Sequence, residues 1–203
     1  MFEQVIAYID GFNLYFGLRE KGWKQYYWVN PYLVCKYLLK AHQNIIEVKY
    51  FTSRIRGDVE KISRQDTFIR AIKTESSVVV RYGKYGNRQY RCEDCKHEGL
   101  LPAEKMTDVR IACEIISDAY RNVFKTALLI SGDRDLVPIA EFIKQRFQDK
   151  RFLVAFPPMR ECPDFQGKAG ILHITEDILK KSLFPNEIAL PSGSKITKPR
   201  KWS

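Results

Sequence analysis

Apolar runs and helix-period segments alternate along most of this chain. Short runs rich in β-branched, aliphatic and aromatic residues predict strands at 4–10, 45–53, 77–85, 126–130, 152–156 and 171–174. Segments with one apolar face predict helices at 13–21, 31–41, 58–74, 106–122, 135–147 and 175–182. Because strands alternate with helices, the pattern predicts an α/β fold in which a mostly parallel central sheet is covered by helices on both faces.

Two segments depart from this alternation. Gly86 and Asn87 form a dipeptide typical of tight turns, which predicts a hairpin from the third strand into residues 88–92, within an insert at 83–103. From residue 184 the chain carries Pro, Ser, Gly and basic residues without apolar periodicity. We therefore expect one domain over 1–183 and a basic, flexible tail over 184–203.

The charge balance points to a polyanionic partner. The 203 residues suit one domain with a full core, and 34 Lys and Arg against 24 Asp and Glu give a net charge of +10. A surplus of this size favours nucleic acid, although an excess of lysine for solubility alone is the alternative.

The cysteines and the apolar segments indicate the cellular compartment in which the protein is expected. The N-terminal apolar run meets Asp10 before a signal-peptide core forms, and no stretch approaches the ~20 apolar residues of a membrane span. Five scattered cysteines make a disulfide framework improbable, so we expect a reduced cytoplasm and no membrane partner. Cys92 and Cys95 have the spacing of half a zinc site, but a second pair is absent from the sequence, so structural zinc is the less favoured interpretation.

Acidic residues gather where the predicted sheet ends. Asp10 closes the first predicted strand, and Asp133 and Asp135 follow the fourth. Asp108 stands at the head of the preceding helix, on its apolar stripe, and should face the sheet. Sites in open α/β sheets form outside the carboxyl ends of the strands, and carboxylates without His or Cys suit Mg²⁺ or Mn²⁺. The pattern therefore predicts a site for phosphate chemistry.

Each of these residues also has a plainer interpretation. Asp10 before Gly is common in turns, Asn13 and Asp135 are ordinary helix N-caps, and Asp108 suits the positive end of its helix. Caps need not all be acidic or converge on one sheet edge, however, so the set as a whole favours a metal site.

Three motifs together resemble the NYN domain family, a branch of the PIN-like nucleases. They are YIDGFNL at 8–14, EKMTDV at 104–109 and SGDRDLVP at 131–138, and the resemblance extends over about 4–157. It implies a Rossmann-like PIN fold and metal-dependent cleavage of RNA. It also implies that Asp10, Asp108, Asp133 and Asp135 form the metal site, that Asn13 orients the site or the substrate, and that Ser131 and Lys105 are secondary candidates.

A rival enzyme class is the haloacid-dehalogenase-like phosphatases, which also combine a strand-end Asp with a later Gly-Asp. They resemble the pattern Asp-x-Asp at the first strand, where the second Asp is the general acid. Phe12 occupies that position here, which argues against this class.

The predicted hairpin region is a candidate platform for single-stranded nucleic acid. Cations that track phosphates beside rings that stack on bases are the usual composition of such a platform. The candidates are Arg81, Lys84, Tyr85, Arg88, Tyr90 and Arg91. A solvated hairpin whose tyrosines pack on neighbours is the alternative.

The sequence thus predicts a Mg²⁺- or Mn²⁺-dependent endoribonuclease acting on single-stranded RNA, with DNA not excluded as a substrate. Bound divalent ions would lower the pKa of a water molecule and neutralise the scissile phosphate. The alternative is a nucleic-acid-binding regulatory module that keeps the fold but has weak or no catalysis. The sequence leaves the oligomeric state open.

Overall fold

The computed structural model describes residues 2–91 and 93–202, without the side chains of 85–89 and 100–105. The strands are β1 Glu3–Asp10, β2 Gln43–Thr52, β3 Val78–Tyr82, β4 Lys84–Arg91, β5 Glu98–Lys105, β6 Thr126–Ile130, β7 Arg151–Phe156, β8 Gly170–His173, β9 Glu187–Ala189 and β10 Lys195–Thr197. The α-helices are α1 Gly11–Glu20, α2 Pro31–Leu38, α3 Val59–Ile72, α4 Thr107–Tyr120, α5 Val137–Arg146 and α6 Glu176–Lys181. None of these helices has the length and apolar character needed to cross a membrane.

Six strands form one parallel sheet in the order β3-β2-β1-β6-β7-β8. Successive crossovers move outward from β1 on one side and from β6 on the other, so the strand order reverses between these two strands. In such sheets a crevice opens at the reversal, outside the carboxyl ends of the strands. The predicted α/β class and parallel sheet are confirmed.

Strand β1 has its last six residues buried and divides the core in two. Val5, Ala7 and Ile9 pack on one face, with side chains from α1, α2 and α6. Ile6 and Tyr8 pack on the other face, with α4 and α5. Burial on both faces explains why this strand is a continuous apolar run rather than an alternating one.

Local capping explains where several helices begin. Asn30 precedes α2, and its side-chain oxygen accepts hydrogen bonds from the backbone N–H groups of Tyr32 and Leu33 at 2.9 and 3.3 Å. Pro31 occupies the first turn, where its missing N–H is not needed. Asp58 caps α3 in the same way, with its carboxylate 3.0 Å from the backbone nitrogen of Lys61.

The prediction of a turn at Gly86–Asn87 is wrong. Both residues lie inside β4, opposite Ala103 and Pro102 of β5, and the ladder continues from Lys84↔Lys105 to Arg91↔Glu98. The connection between the strands is therefore made after residue 91. A ladder of eight residue pairs satisfies more backbone groups than a hairpin with short arms, which is why the local turn preference does not prevail.

The chain beyond residue 184 is not the flexible tail that its composition predicts. Strands β9 and β10 pair in antiparallel fashion. Ile196 and Trp202 are 2% and 8% exposed and pack into the same core as Trp28. The Trp28 indole also donates a hydrogen bond to the carbonyl of Pro185 at 2.9 Å. Two well-placed apolar side chains anchor this segment without any periodic pattern.

Candidate metal centre

Asp10 lies at the carboxyl end of β1, next to the reversal in strand order, and is only 5% exposed. It caps α1, since its Oδ1 accepts a hydrogen bond from the backbone nitrogen of Asn13 at 3.0 Å. Its Oδ2 accepts one from the hydroxyl of Ser131 at 3.2 Å. The carboxylate is thus held by the first turn of α1 and by the residue that follows β6.

The loop after β6 is fixed by hydrogen bonds to the same neighbours. The backbone nitrogen of Asp133 donates to the Ser131 hydroxyl at 3.1 Å, and that of Gly132 donates to the Asn13 side-chain oxygen at 3.0 Å. Ser131 is fully buried. Asn13 and Ser131 therefore link the ends of β1 and β6 and set the position of Asp133.

Gly132 is required by close packing rather than by an unusual backbone angle. A Cβ atom at this position would lie 1.6 Å from the carbonyl oxygen of Arg160. Any side chain would therefore displace one of the two segments that meet here. Gly11 is similarly constrained, because a Cβ there would lie 2.7 Å from the carbonyl oxygen of Phe51.

Asp108 reaches the crevice from the first turn of α4. Ile111 and Ile115 of that helix are fully buried and share a core cluster with β1, which holds the helix over the sheet. Met106, just before the helix, has a left-handed backbone with φ of 73°. This turn brings the chain from β5 into the start of the helix.

One carboxylate oxygen from each of Asp10, Asp108 and Asp133 lies within 4.8 Å of the other two. In the described part of the chain, no other group of three or more His, Cys, Asp or Glu residues comes together in this way. Oxygen donors at this spacing, without nitrogen or sulfur among them, fit a hard divalent cation such as Mg²⁺ or Mn²⁺. The cluster also concentrates negative charge, which a bound cation would relieve.

The fourth predicted ligand, Asp135, stays outside this group. It is exposed, and its backbone nitrogen donates to Oδ1 of Asp133 at 3.0 Å. Asp133 caps the short 3₁₀ turn Arg134–Leu136 in this way. The structure therefore brings together three of the four predicted aspartates, and a role for Asp135 as a ligand stays a prediction.

The predicted nucleic-acid platform is only partly described. Arg81 lies in β3, and its guanidinium is paired with Glu114 at 3.0 Å. Arg91 lies 3.6 Å from Glu98, so acidic partners that the strand sequence alone does not show offset two of the cations. Lys84 is exposed, and Tyr90 is 38% exposed. The side chains of Tyr85, Arg88 and Lys105 lie outside the described residues.

The cysteines show no metal site within the described residues. Cys92 lies outside the described part of the chain, and Cys95 is exposed. Zinc at this pair stays a prediction.

The sequence does not predict a cavity with aromatic lining that lies between α1 and α3. It is lined from α1 by Phe12, Tyr15 and Phe16, and from α3 by Lys61 and Arg64. The signal was present, because aromatic residues at positions i, i+3 and i+4 share one helix face. Such spacing is more often a sign of core packing, however, so it does not stand out in the sequence.

Comparisons with known proteins agree with this architecture. The family model of the NYN domain matches residues 4–163. A solved structure of a protein of unknown function from Vibrio parahaemolyticus RIMD 2210633 has a TM-score of 0.56 and 21% identity, covering 90% of this chain and 96% of the other. That likeness bears on the fold alone. Among curated proteins, none matches the chain.

Proposed function

The chain belongs to the NYN domain family of PIN-like nucleases, and on this premise we propose that it is a divalent-metal-dependent ribonuclease. Its substrate is single-stranded RNA, and it hydrolyses internal phosphodiester bonds. The observation that carries the proposal is the gathering of Asp10, Asp108 and Asp133 at the crevice where the strand order reverses.

The three carboxylates would hold Mg²⁺ or Mn²⁺ through their oxygen atoms. Such an ion, when bound, lowers the pKa of a coordinated water molecule and neutralises charge on the scissile phosphate. Residues of the protein position the carboxylates for this role. Ser131 and Asn13 fix Asp10 and the loop that carries Asp133, so that the carboxylates keep one arrangement.

The charge of the protein as a whole and the charge of the crevice have opposite signs and affect substrate binding in different ways. The net charge of +10 attracts an RNA chain from solution. The three carboxylates at the crevice repel a phosphate group unless a cation lies between them. This combination makes productive binding dependent on the metal while leaving general attraction independent of it.

Circular single-stranded RNA tests the proposal directly, because only an endonuclease opens a molecule without ends. The purified protein should linearise a labelled circle in Mg²⁺ or Mn²⁺ and should leave it intact in EDTA. Gel electrophoresis separates the two forms. If the protein binds the circle but does not cleave it in either metal, the nuclease proposal is wrong. The alternative, a regulatory RNA-binding module, would then be favoured.

A further inference from the structure

A cavity of about 320 Å³ lies between α1 and α3. Gly11 and Phe12, the two residues that follow Asp10 in the chain, are part of its wall. The cavity therefore adjoins the turn that follows Asp10, while the cluster carboxylates themselves are not among its lining residues. The volume falls at the small end of the range for ligand pockets, about 300–1,000 Å³, which suits a single planar ring system.

The wall of the cavity is rich in aromatic rings. They include Phe12, Tyr15, Phe16, Tyr27, Phe68 and Trp202. Phe12 and Phe16 stack with an interplanar angle of 25°, and Tyr15 lies 4.9 Å from Tyr27 between ring centroids. Tyr15 and Phe16 nevertheless stay 38% and 36% exposed. Rings that are held by neighbours yet open to solvent offer a preformed surface for stacking.

Cations complete the lining. Arg19, Lys61 and Arg64 border the cavity, and its described lining residues include no acid. Arg64 lies 3.3 Å from Glu60, and Lys61 lies 3.4 Å from Asp58. Both acids are substantially exposed, and ion pairs of this kind contribute little, so a phosphate can compete for these cations at small cost.

We propose that this cavity binds one unpaired nucleobase of the RNA chain, beside the phosphate positioned at the metal centre. The base stacks on Tyr15 or Phe16, while Arg19, Lys61 and Arg64 hold the neighbouring phosphates. A base that is paired within a duplex must first give up its pairing and stacking to enter, so the cavity favours single strands. The inference rests on the proposed ribonuclease function and names its substrate subsite.

This subsite differs in place from the β4–β5 hairpin that the sequence suggests as the platform. Two hairpin-region cations, Arg81 and Arg91, already face Glu114 and Glu98. The cavity cations Lys61 and Arg64 have acidic partners as well, but they border a space that is lined by aromatic rings. Stacking and phosphate contacts therefore coincide at the cavity.

Two probes measure whether a base is recognised there. A fluorescent uridine octamer and an abasic ribose-phosphate octamer of the same length are titrated with the full chain by fluorescence anisotropy in Ca²⁺, a divalent ion that also takes carboxylate oxygens. Gel electrophoresis checks that both probes stay intact during the titration. The wild-type protein should bind the uridine octamer more tightly than the abasic chain. Equal affinities for the two probes would overturn the proposal without any variant being needed.

Variants locate the effect. Tyr15→Ala and Phe16→Ala should each weaken binding of the uridine octamer by about 5- to 150-fold, the range of base–aromatic stacking, and should leave the abasic octamer unaffected. The control is Tyr37→Ala, because Tyr37 is 46% exposed on α2 and does not line the cavity. It should change neither affinity. If the Tyr15 and Phe16 variants lose equal affinity for both probes, these rings do not stack on a base.

Cleavage is measured separately, so the two proposals fail in different ways. If the protein cuts RNA but binds both octamers equally, the nuclease stands and the base pocket falls. If it cuts no RNA yet loses base-dependent binding in the Tyr15 and Phe16 variants, the pocket stands and the nuclease falls.

Discussion

Asp10 shows that two interpretations of one residue need not exclude each other. In the sequence its roles as helix cap and as metal ligand are alternatives. In the structure one oxygen caps α1 through the Asn13 backbone, while a carboxylate oxygen also joins the cluster with Asp108 and Asp133. A cap at the end of a buried strand holds a carboxylate rigidly, which is what a metal site requires.

Ser131 supports the carboxylates without belonging to the cluster, so its loss should weaken metal binding rather than the fold. Ser131→Ala removes the hydroxyl that donates to Asp10 and accepts from the backbone of Asp133. We expect a drop in Mn²⁺ affinity of about 10- to 100-fold, as for other residues that orient metal ligands. Isothermal titration calorimetry measures it. The control is Ser117→Ala on the exposed face of α4, and unchanged Mn²⁺ affinity in the Ser131 variant would contradict the account.

Asp135 should matter less than Asp133, although the sequence presents them as equivalent. Only Asp133 lies in the three-carboxylate group, and Asp135 donates its backbone nitrogen to it. Asp135→Asn should therefore keep a higher RNA cleavage rate than Asp133→Asn under the same Mn²⁺ concentration. A larger loss in the Asp135 variant would show that the ligand set is drawn incorrectly. The sequence cannot separate the two aspartates, because the 3₁₀ turn Arg134–Leu136 sets the direction in which each side chain points.

Strands buried on both faces are the elements that the sequence predicts best. The predicted bounds of β6 coincide with those observed, because a continuous apolar run ends sharply at Ser131. The β4–β5 hairpin is predicted least well. Its strands are polar, so no buried face fixes their register, and Gly86–Asn87 suggests a turn that the pairing with β5 overrides.

A buried ion pair joins β2 to α4. Lys49 lies 2.5 Å from Asp118 and 3.0 Å from Glu114, and Tyr8 donates its hydroxyl to Asp118 at 2.7 Å. Lys49→Ala leaves Asp118 buried without its main partner and should lower the free energy of unfolding by about 3–5 kcal/mol. Urea denaturation measures the change. The exposed pair of Lys125 is the control, since Lys125→Ala should cost at most about 1 kcal/mol.

The pH dependence of this pair follows from the pKa of Lys49. Burial by itself lowers that pKa, but the hydrogen bonds to Asp118 and Glu114 and their charges outweigh it and raise the pKa above 10.5. A raised lysine pKa adds stability that is complete below the unfolded value and is lost as pH rises through the folded one. The difference in unfolding free energy between wild type and Lys49→Ala should therefore stay constant at neutral pH and shrink only in strongly alkaline buffer. A loss near pH 7 would contradict this.

The C-terminal segment shows why long-range packing escapes a reading of the sequence. Trp202 lies about 6 Å from the rings of Trp28, Phe68 and Tyr27, which come from distant parts of the chain. The local sequence pattern after residue 184 does not predict these contacts. The aromatic cavity escapes for the same reason, since its walls combine α1, α3 and this segment.

Trp202 should therefore contribute to the stability of the entire domain. Trp202→Ala should lower the free energy of unfolding by about 3–5 kcal/mol, the usual cost of truncating a buried large aromatic side chain. The neighbouring Lys201 forms an ion pair with Glu60 in which both side chains are mostly exposed. Lys201→Ala is the matched control and should change the free energy by at most about 1 kcal/mol. Similar urea midpoints for both variants would show that the segment after residue 184 does not stabilise the domain.

The central claim is that the three-carboxylate cluster cleaves RNA with a divalent ion, and one measurement tests it most directly. Cleavage of labelled single-stranded RNA in Mn²⁺ is compared for wild type, Asp10→Asn, Asp133→Asn and Asp177→Asn, with unfolding temperatures recorded for each. Asp177 is exposed in the first turn of α6, outside the cluster, and serves as the control. We predict that Asp10→Asn and Asp133→Asn abolish cleavage while remaining folded, and that Asp177→Asn cleaves at the wild-type rate. Metal-dependent cleavage at the wild-type rate by either cluster variant would remove that aspartate from the site and contradict the account.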